Sequence, residues 1–237
     1  MISGVDPQQT FLRLLEPEDL DPSFLEKARR YRVRGVTAMV RLALSGLPNF
    51  TAAAGDPLTL RGRLLIAPDL EYLERAFDAA KYGSVSPRPW IEMSIPSVLD
   101  PSLAPDGQHA ASIYVHFAPR HPQGASWADE RDALYRSVID VLSRHAPAIA
   151  TLVLERDIIT PEDLEQQWGL SGGHIFHGET TLDQWWMTRP FLGWSRYRTP
   201  VAGLYLCGAG THPGAGITGG SGYLAAQAVM SDLKRRL

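Results

Sequence analysis

A glycine-rich stretch near the end of the chain, residues 203–222, has the residue types and spacing of a phosphate-binding turn. Its first part, residues 204–207, is a short apolar run that predicts a buried strand. Seven of the 21 glycines follow between residues 208 and 222, and the pattern of residues 223–237 predicts a helix. Glycine brings the backbone close to a ligand, and the free N–H groups at a helix start favour an anion. A strand, a glycine turn and a helix in this order therefore predict a phosphate site.

Residues 214–219 also fit the pattern G-x-G-x-x-G, which suggests the opening turn of a dinucleotide-binding fold. In such a fold, another strand and an acidic residue about 20 positions later follow the turn. Only 18 residues follow Gly219, and their pattern is that of a single helix. The stretch is therefore predicted to close a nucleotide-binding fold rather than to open one.

Two histidines, His174 and His177, lie three positions apart in a glycine-bounded segment. A metal site would need a third protein ligand. Glu179 is close in sequence, but a strand-like register would point it away from His174. No metal site is predicted here. A conformational role, with the rings bonded to the backbone, and a place in a flavin or substrate pocket both stay open.

Five aromatic residues fall within 13 positions after these histidines: Trp185, Trp186, Phe191, Trp194 and Tyr197. They could wall an apolar substrate pocket. They could equally form core packing between two domains, which is the slightly favoured interpretation.

Two other kinds of site are excluded by their own requirements. Ser221 lies in Gly-Gly-Ser-Gly and not in G-x-S-x-G, so a hydrolase is not predicted. No lysine occurs in the glycine stretch, which excludes a nucleoside-triphosphate P-loop.

The composition limits the class of protein further. The net charge of −3 argues against a general nucleic-acid surface. The single cysteine, Cys207, excludes an intrachain disulfide and is predicted to be a small buried residue in the apolar strand. No apolar run approaches the roughly 18 residues of a membrane span, and no signal peptide is visible after Met1. We therefore expect a cytoplasmic protein that does not span a membrane.

The rest of the chain alternates between helical and strand-like patterns. The predicted helices are residues 8–15, 22–30, 70–81 and 127–145 with a short one starting at 160, and the predicted strands are residues 35–44, 61–67, 90–97, 111–118 and 151–159. Turn residues between the strands at 90–97 and 111–118 predict that these two form an antiparallel pair. The order predicts an α+β fold, an antiparallel sheet with helices on one side.

Two of the helices carry start signals. Asp69 is a predicted N-cap, and Ser126 with Asp129 fits a capping box. The residues expected to face inward are Leu70, Leu73 and Phe77 in the first of these helices and Leu134, Val138, Val141 and Leu142 in the second.

Several motifs together resemble a known family. They are Gly-Gly-His-Ile-Phe-His-Gly-Glu at 172–179, Leu-Asp-Gln at 182–184, Arg-Pro at 189–190, Tyr-Arg-Thr-Pro at 197–200 and the glycine stretch. They resemble the C-terminal part of the phytoene desaturase-like, FAD-dependent oxidoreductases, within the subgroup called pyridine nucleotide-disulfide oxidoreductase domain-containing protein 2. The resemblance runs from the first residues to the last, with its most specific motifs near the C-terminus.

The resemblance implies a flavin site in the glycine stretch. The FAD contacts that it implies are Gly208, Ala209, Gly210, Gly216, Ile217, Thr218 and Gly219. Many relatives have an acidic residue in the turn at 208–210 that holds the ribityl chain, and none occurs here. Such a contact would then come from backbone groups or from Thr211.

The resemblance also implies an activity, namely hydride removal from a carbon–carbon or carbon–nitrogen bond to flavin. Because the cofactor carries that step, no catalytic residue is assigned. The candidates for lining a pocket for an apolar small-molecule substrate are His174, His177, Trp186 and Tyr197.

The domain organisation follows from the same resemblance. Residues 1–20 and 191–237 are expected to be the remnant of a Rossmann-like FAD-binding domain, with its C-terminal strand, loop and helix, and residues 21–190 the antiparallel-sheet substrate domain. The family's usual FAD fingerprint, a strand followed by G-x-G-x-x-G near the N-terminus, is absent from residues 1–60.

Two hypotheses follow from that absence. In the first, the chain is the second half of a flavoenzyme and a chain or segment carrying the N-terminal half completes it, so that it is inactive alone. In the second, it is a flavin-free binding or regulatory module that keeps the fold. A homo-oligomer stays open in both.

Overall fold

The computed structural model describes residues 1–34, 37–53, 56–214 and 216–235. The chain divides into two compact units, which we call unit 1 (Met1–Gly35 with Leu164–Leu237) and unit 2 (Val36–Asp163). The predicted start of a strand at residue 35 and the predicted helix end at residue 237 lie outside the described residues. No helix in the described ranges combines the length and the apolar character that crossing a bilayer requires.

Unit 2 is built on a five-stranded sheet in which every neighbouring pair is antiparallel. Its strands are β2 (Thr37–Leu44), β3 (Leu64–Ile66), β4 (Trp90–Ser94), β5 (His109–His116) and β6 (Val153–Ile159), in the order β3-β4-β5-β2-β6. The predicted antiparallel pair is confirmed, because Trp90 of β4 lies opposite His116 of β5 and Met93 lies opposite Ile113.

The helices of unit 2 are α3 (Leu70–Lys81), α4 (Trp127–Ser143) and α5 (Ile149–Leu152), and α6 (Pro161–Trp168) runs across the division between the units. The capping box that begins α4 is confirmed: the Ser126 and Asp129 side chains each accept from the other's backbone N–H. The predicted inward residues of α4 are all buried. They form one core with alternate residues of the strands, such as Val40, Ile91 and Ile113.

Some local predictions for unit 2 were wrong. Leu70 is 79% and Phe77 is 45% exposed, and only Leu73 of the predicted apolar face of α3 is half-buried, while the fully buried residue of this helix is Ala76. The strand predicted from residue 61 starts at Leu64, because Pro57–Arg61 forms a 3₁₀ turn capped by Asp56. The strand predicted from residue 151 starts at Val153, because α5 occupies the preceding residues.

Unit 1 contains a parallel pair of short strands, β1 (Ile2–Ser3) and β7 (Tyr205–Leu206), with Ile2 opposite Tyr205. Its helices are α1 (Pro7–Leu12), α2 (Pro22–Arg30) and α7 (Gly220–Lys234). The five-stranded antiparallel sheet with helices and this parallel pair confirm the predicted α+β class.

The core of unit 1 is an aromatic cluster contributed by distant parts of the sequence. The Phe24 ring lies 4.8 Å from that of Phe11, 5.4 Å from that of Phe191 and 5.1 Å from that of Trp194, all measured between centroids. Edge-to-face aromatic pairs of this kind stabilise a core beyond the area they bury. The cluster joins α1 and α2 to the segment that begins near residue 190.

This packing explains why the compact units divide the chain at other positions than the predicted domain boundaries. The boundaries after residues 20 and 190 both fall inside unit 1. Helix α2 packs through Phe24 onto Phe191, and the Tyr31 hydroxyl donates to the His177 carbonyl at 2.9 Å. Residues 21–34 and 164–190 therefore pack with the terminal segments. The roles given to the two domains stay predictions.

Candidate functional site

The glycine loop of unit 1, residues 207–219, connects β7 to α7 and has two different parts. In the inner part, the glycines are explained by packing inside the chain. A Cβ on Gly208 would lie 3.0 Å from the Gly4 carbonyl oxygen, and a Cβ on Gly210 would lie 2.7 Å from Cδ of Pro7. No larger side chain fits at these two positions without a shift, because the turn packs directly on the N-terminal segment.

The outer part of the loop, residues 216–219, is open. Gly216 has φ 121° and Gly219 has φ 70°, and a Cβ on Gly219 would meet nothing within 4 Å. The Ile217 side chain is fully exposed. Among the described residues, none accepts a hydrogen bond from the backbone N–H groups of residues 216–219. This part of the loop has both the room and the free donors that an anionic ligand requires.

Thr211 was a candidate for replacing the acidic residue that many relatives have. Its side chain is buried, and its hydroxyl donates to the Gly208 carbonyl at 2.9 Å, as its own backbone N–H does at 3.1 Å. The hydroxyl therefore closes the inner turn. Its proton is therefore not available to a ligand.

Arg189 is the residue that ties the loop to the rest of unit 1. Its side chain is 1% exposed, and all five of its N–H groups donate to main-chain carbonyls. Nε donates to Ala209 at 2.8 Å, and Nη1 and Nη2 donate to the carbonyls of Phe176, Gly178, Glu179 and Gln184 at 2.7–3.2 Å. Burial lowers the pKa of the guanidinium below its ordinary value. Arg189 thus fixes the inner turn to residues 176–184.

Sequence reasoning found Arg189 only as part of a motif and assigned it no role. The available signal was an arginine among aromatic residues, next to a proline, in a segment predicted to be buried. An arginine in such a position needs several hydrogen-bond acceptors, and here the backbone supplies them.

His174 lies in the segment that Arg189 holds. The residue is 6% exposed, and its Nδ1 accepts from the backbone N–H of Phe176 at 3.2 Å. Burial, together with the charge of Arg189, lowers the pKa of His174 to about 4. The ring is therefore neutral at neutral pH, and its bond to Phe176 is the backbone contact that the conformational hypothesis expected.

His177 has φ 58° and is half-buried, and its Nδ1 is enclosed without a partner among the described residues. Burial lowers its pKa as well. The Glu179 carboxylate forms an ion pair with Arg32, with 3.0 Å between its oxygen and Nε. In the part of the chain that the structure describes, no group of three or more His, Cys, Asp or Glu side chains could hold a metal ion.

The five clustered aromatic residues have different surroundings. Trp185 and Trp186 are exposed, and Phe191 and Trp194 belong to the aromatic core of unit 1. Tyr197 is buried, and its hydroxyl donates to the His212 carbonyl at 2.9 Å, which links Tyr197 to the glycine loop. The five therefore do not form a single wall. The assignment of Trp186 and Tyr197 to a substrate pocket stays a prediction.

Cys207 lies at the end of β7, between the strand and the inner turn. It is half-buried rather than fully buried, and burial raises the pKa of its thiol. A neutral thiol agrees with a small packing residue.

A solved structure with a similar fold is known. No family model matches the chain. The fold resembles the crystal structure of an oxidoreductase from Methanosarcina mazei, with a TM-score of 0.54 and 18% sequence identity over 98% of this chain and 42% of that one.

The curated relatives are more specific. The chain is 41% identical over 242 residues to pyridine nucleotide-disulfide oxidoreductase domain-containing protein 2 of Rattus norvegicus, which covers 99% of this chain and 42% of the rat protein. It is 37% identical over 144 residues to a phytoene desaturase (lycopene-forming) of Pseudescherichia vulneris, over 59% of this chain and 28% of that protein. The resemblance predicted from the motifs is confirmed, and the chain spans less than half the length of these relatives.

Proposed function

We propose that this chain is the C-terminal portion of an FAD-dependent oxidoreductase of the desaturase or dehydrogenase type. In this proposal, the glycine loop lies along the flavin and its phosphates, and the sheet of unit 2 belongs to the domain that binds an apolar small-molecule substrate. The relatives named above, an oxidoreductase and a desaturase by name, support this class of activity.

The observation that carries the proposal is the open outer part of the loop. Gly216 and Gly219 have positive φ, a Cβ on either would meet no atom closer than 3.7 Å, and no described residue accepts from the N–H groups of residues 216–219. At the start of α7, the Thr218 hydroxyl accepts from the Gly220 N–H at 3.2 Å. Packing against Gly4 and Pro7 explains why glycine occurs at positions 208 and 210. No close contact among the described residues explains a glycine at position 219. A site of backbone donors at a helix start suits the phosphates of FAD.

FAD, when bound, would supply hydride acceptance. The chain's own residues would bind and orient: the N–H groups of residues 216–219 hold the cofactor, and Arg189 fixes the inner turn that precedes them. No residue is assigned as an acid or a base.

The turn that holds the rest of FAD is proposed to come from a segment outside these 237 residues. The one G-x-G-x-x-G match, residues 214–219, directly precedes α7. Strand β1 pairs with β7 on one side and has no strand on its other side among the described residues. Met1 and Ile2 are exposed at this edge. Because a two-stranded parallel pair is not stable by itself, we expect further strands to extend it.

A flavin-free binding module is the second candidate function. The observation in its favour is the inner part of the loop, where Gly208 and Gly210 are required by contacts with Gly4 and Pro7. Glycines at these two positions would be retained without any cofactor.

Co-expression separates the two candidates. The chain purified alone is expected to be colourless. The chain co-expressed with a segment that carries a strand and G-x-G-x-x-G is expected to copurify with it and to show a flavin absorbance spectrum with one FAD per pair. A yellow preparation of the chain alone would contradict the need for that segment, and a stable but colourless pair would favour the flavin-free module.

A further inference from the structure

We propose that His174 donates a hydrogen bond from Nε2–H to a carbonyl oxygen of the flavin ring. This inference rests on the proposed function and gives one of its candidate residues a specific contact.

The hydrogen bonds of the ring fix which nitrogen carries the proton. A neutral imidazole has one N–H and one acceptor nitrogen. Since Nδ1 accepts from the Phe176 backbone N–H at 3.2 Å, the proton of the neutral ring is on Nε2. His174 is therefore a donor at Nε2.

This donor has no acceptor in the chain. No described residue hydrogen-bonds His174 Nε2, and Nε2 is not among the unpaired side-chain atoms that are fully enclosed. The residue as a whole is 6% exposed. A nearly buried ring thus presents its free N–H at the surface of unit 1. Because this N–H reaches the surface and has no acceptor among the described residues, it is available to a ligand, and we infer that a ligand atom accepts from it.

The position of His174 relative to the glycine loop indicates which ligand this is. Arg189 joins the carbonyls of Phe176 and Gly178 to that of Ala209. On the same segment, Cβ of His177 lies 3.4 Å from the place that a Cβ on Gly210 would take. His174 is therefore held in the segment that packs on the inner turn of the proposed flavin site.

The charges around the ring favour a carbonyl acceptor over a proton-transfer partner. Burial lowers the pKa of His174 most, Arg189 and His177 lower it further, and the carboxylate of Asp6 raises it by less. The Asp6 oxygens accept from the backbone N–H groups of Gln9 at 2.9 Å and Ser171 at 3.1 Å. A neutral donor beside a buried guanidinium suits an uncharged carbonyl that becomes a stronger acceptor when the ring to which it belongs is reduced.

Two substitutions separate a ligand contact from a purely conformational role. The side-chain oxygen of His174→Asn reaches the position of Nδ1, so this variant keeps the bond from Phe176 and loses the donor at Nε2. The longer side chain of His174→Gln places an N–H near Nε2 and loses the acceptor for Phe176. Melting of each variant alone measures the fold. FAD titration and the absorbance spectrum of bound flavin in the co-expressed pair measure the contact.

We expect His174→Asn to melt close to the wild type, to bind FAD about threefold to tenfold more weakly, and to shift the flavin absorbance bands. We expect His174→Gln to melt at a lower temperature and to bind FAD more tightly than His174→Asn does. The spectrum of the wild-type pair should not change between pH 5 and pH 8.

Several results would overturn the inference. Unchanged FAD affinity and spectrum in His174→Asn would leave the histidine a conformational role only. Weaker binding without a band shift would place the contact away from the ring. If His174→Gln binds FAD as weakly as His174→Asn does, the N–H donor does not contribute to binding. The melting curves, measured separately, show whether poor folding of one variant explains its weaker binding. If the wild-type pair binds no FAD, the proposed function fails and this inference fails with it. If the wild-type pair binds FAD and the variants behave as just described, only this inference fails.

Discussion

Nε of Arg189 donates to the Ala209 carbonyl oxygen at 2.8 Å, which joins the inner turn of the glycine loop to a segment 20 residues earlier. The other four N–H groups of the same guanidinium donate to carbonyls of residues 176–184. One side chain therefore links the loop to the histidine segment through five hydrogen bonds. The hydrogen bonds are to neutral carbonyls, so the geometry depends on the planar five-donor group and not on an ion pair.

The first prediction concerns this group. Arg189→Lys keeps the charge and supplies three donors in place of five, which leaves buried carbonyls without partners. Since at least two carbonyls lose their donor and each buried unsatisfied group costs about 1–3 kcal/mol, we expect the free energy of unfolding of unit 1 to fall by about 2–6 kcal/mol. Urea denaturation of the chain, followed by Trp fluorescence, measures this loss.

Arg30→Lys is the matched control for Arg189→Lys. Arg30 pairs with Glu26 four positions earlier, and its side chain is 79% exposed. Exposed pairs of this type contribute less than about 1 kcal/mol, so this variant should unfold like the wild type. Equal effects of the two substitutions would show that Arg189 does not act through its buried carbonyl contacts.

The second prediction compares two glycines that share a backbone conformation. Gly169 has φ 68° and open space around it, and Gly172 has φ 64° but would place a Cβ 1.8 Å from the Val33 carbonyl oxygen. Gly169→Ala should cost about 1–2 kcal/mol through backbone strain. Gly172→Ala should cost well above that or prevent unit 1 from folding. Thermal melting of both variants tests the difference, and similar melting temperatures would contradict the close packing of Val33 on this turn.

The third prediction concerns the pH dependence of stability. The pKa of His174 is about 4 in the folded chain and about 6.5 when unfolded. Between these values the unfolded chain binds more protons, so the free energy of unfolding rises with pH. The contribution is complete above about pH 6.5 and is lost as the pH falls towards 4. From pH 7 to pH 4.5, His174 alone should account for a loss of about 2–3 kcal/mol.

His116 and His177 also have lowered pKa values and act in the same direction, so the test is a difference. Denaturation of the wild type and of His174→Asn at several pH values should show a shallower slope for the variant between pH 4 and pH 6.5. Parallel curves would contradict a buried neutral His174.

The sequence predicted the elements whose signals are local. The capping box of Ser126 and Asp129, the inward face of α4 and the β4–β5 pair each depend on residues close together in sequence, and the structure confirms them. The exposed face of α3 was not predictable in this way, since Ala76 is buried by neighbours that the helical pattern does not show.

The site depends more on distant contacts. The motifs located the loop, but the reason for Gly208 and Gly210 lies in Gly4 and Pro7, some 200 residues away. The role of Arg189 likewise required the positions of five carbonyls from two segments. A spacing pattern carries no information on such contacts, so the division of the loop into a packed part and an open part appears only in the structure.

The most direct test of the central claim is FAD titration of the co-expressed pair with a substitution in the open part of the loop. Gly216→Val adds a β-branched side chain where only Thr218 Cγ2, at 3.7 Å, would be near its Cβ. Gly107→Val in unit 2 is the control, because Gly107 has φ 76° and nothing within 4 Å. Both variants should lose stability through backbone strain, about 1–3 kcal/mol, and Gly216→Val should lose more because φ 121° lies further from the left-handed region. Only Gly216→Val should weaken FAD binding, by at least about tenfold or 1.4 kcal/mol. Equal FAD affinity for Gly216→Val and the wild type would contradict a flavin site in this loop.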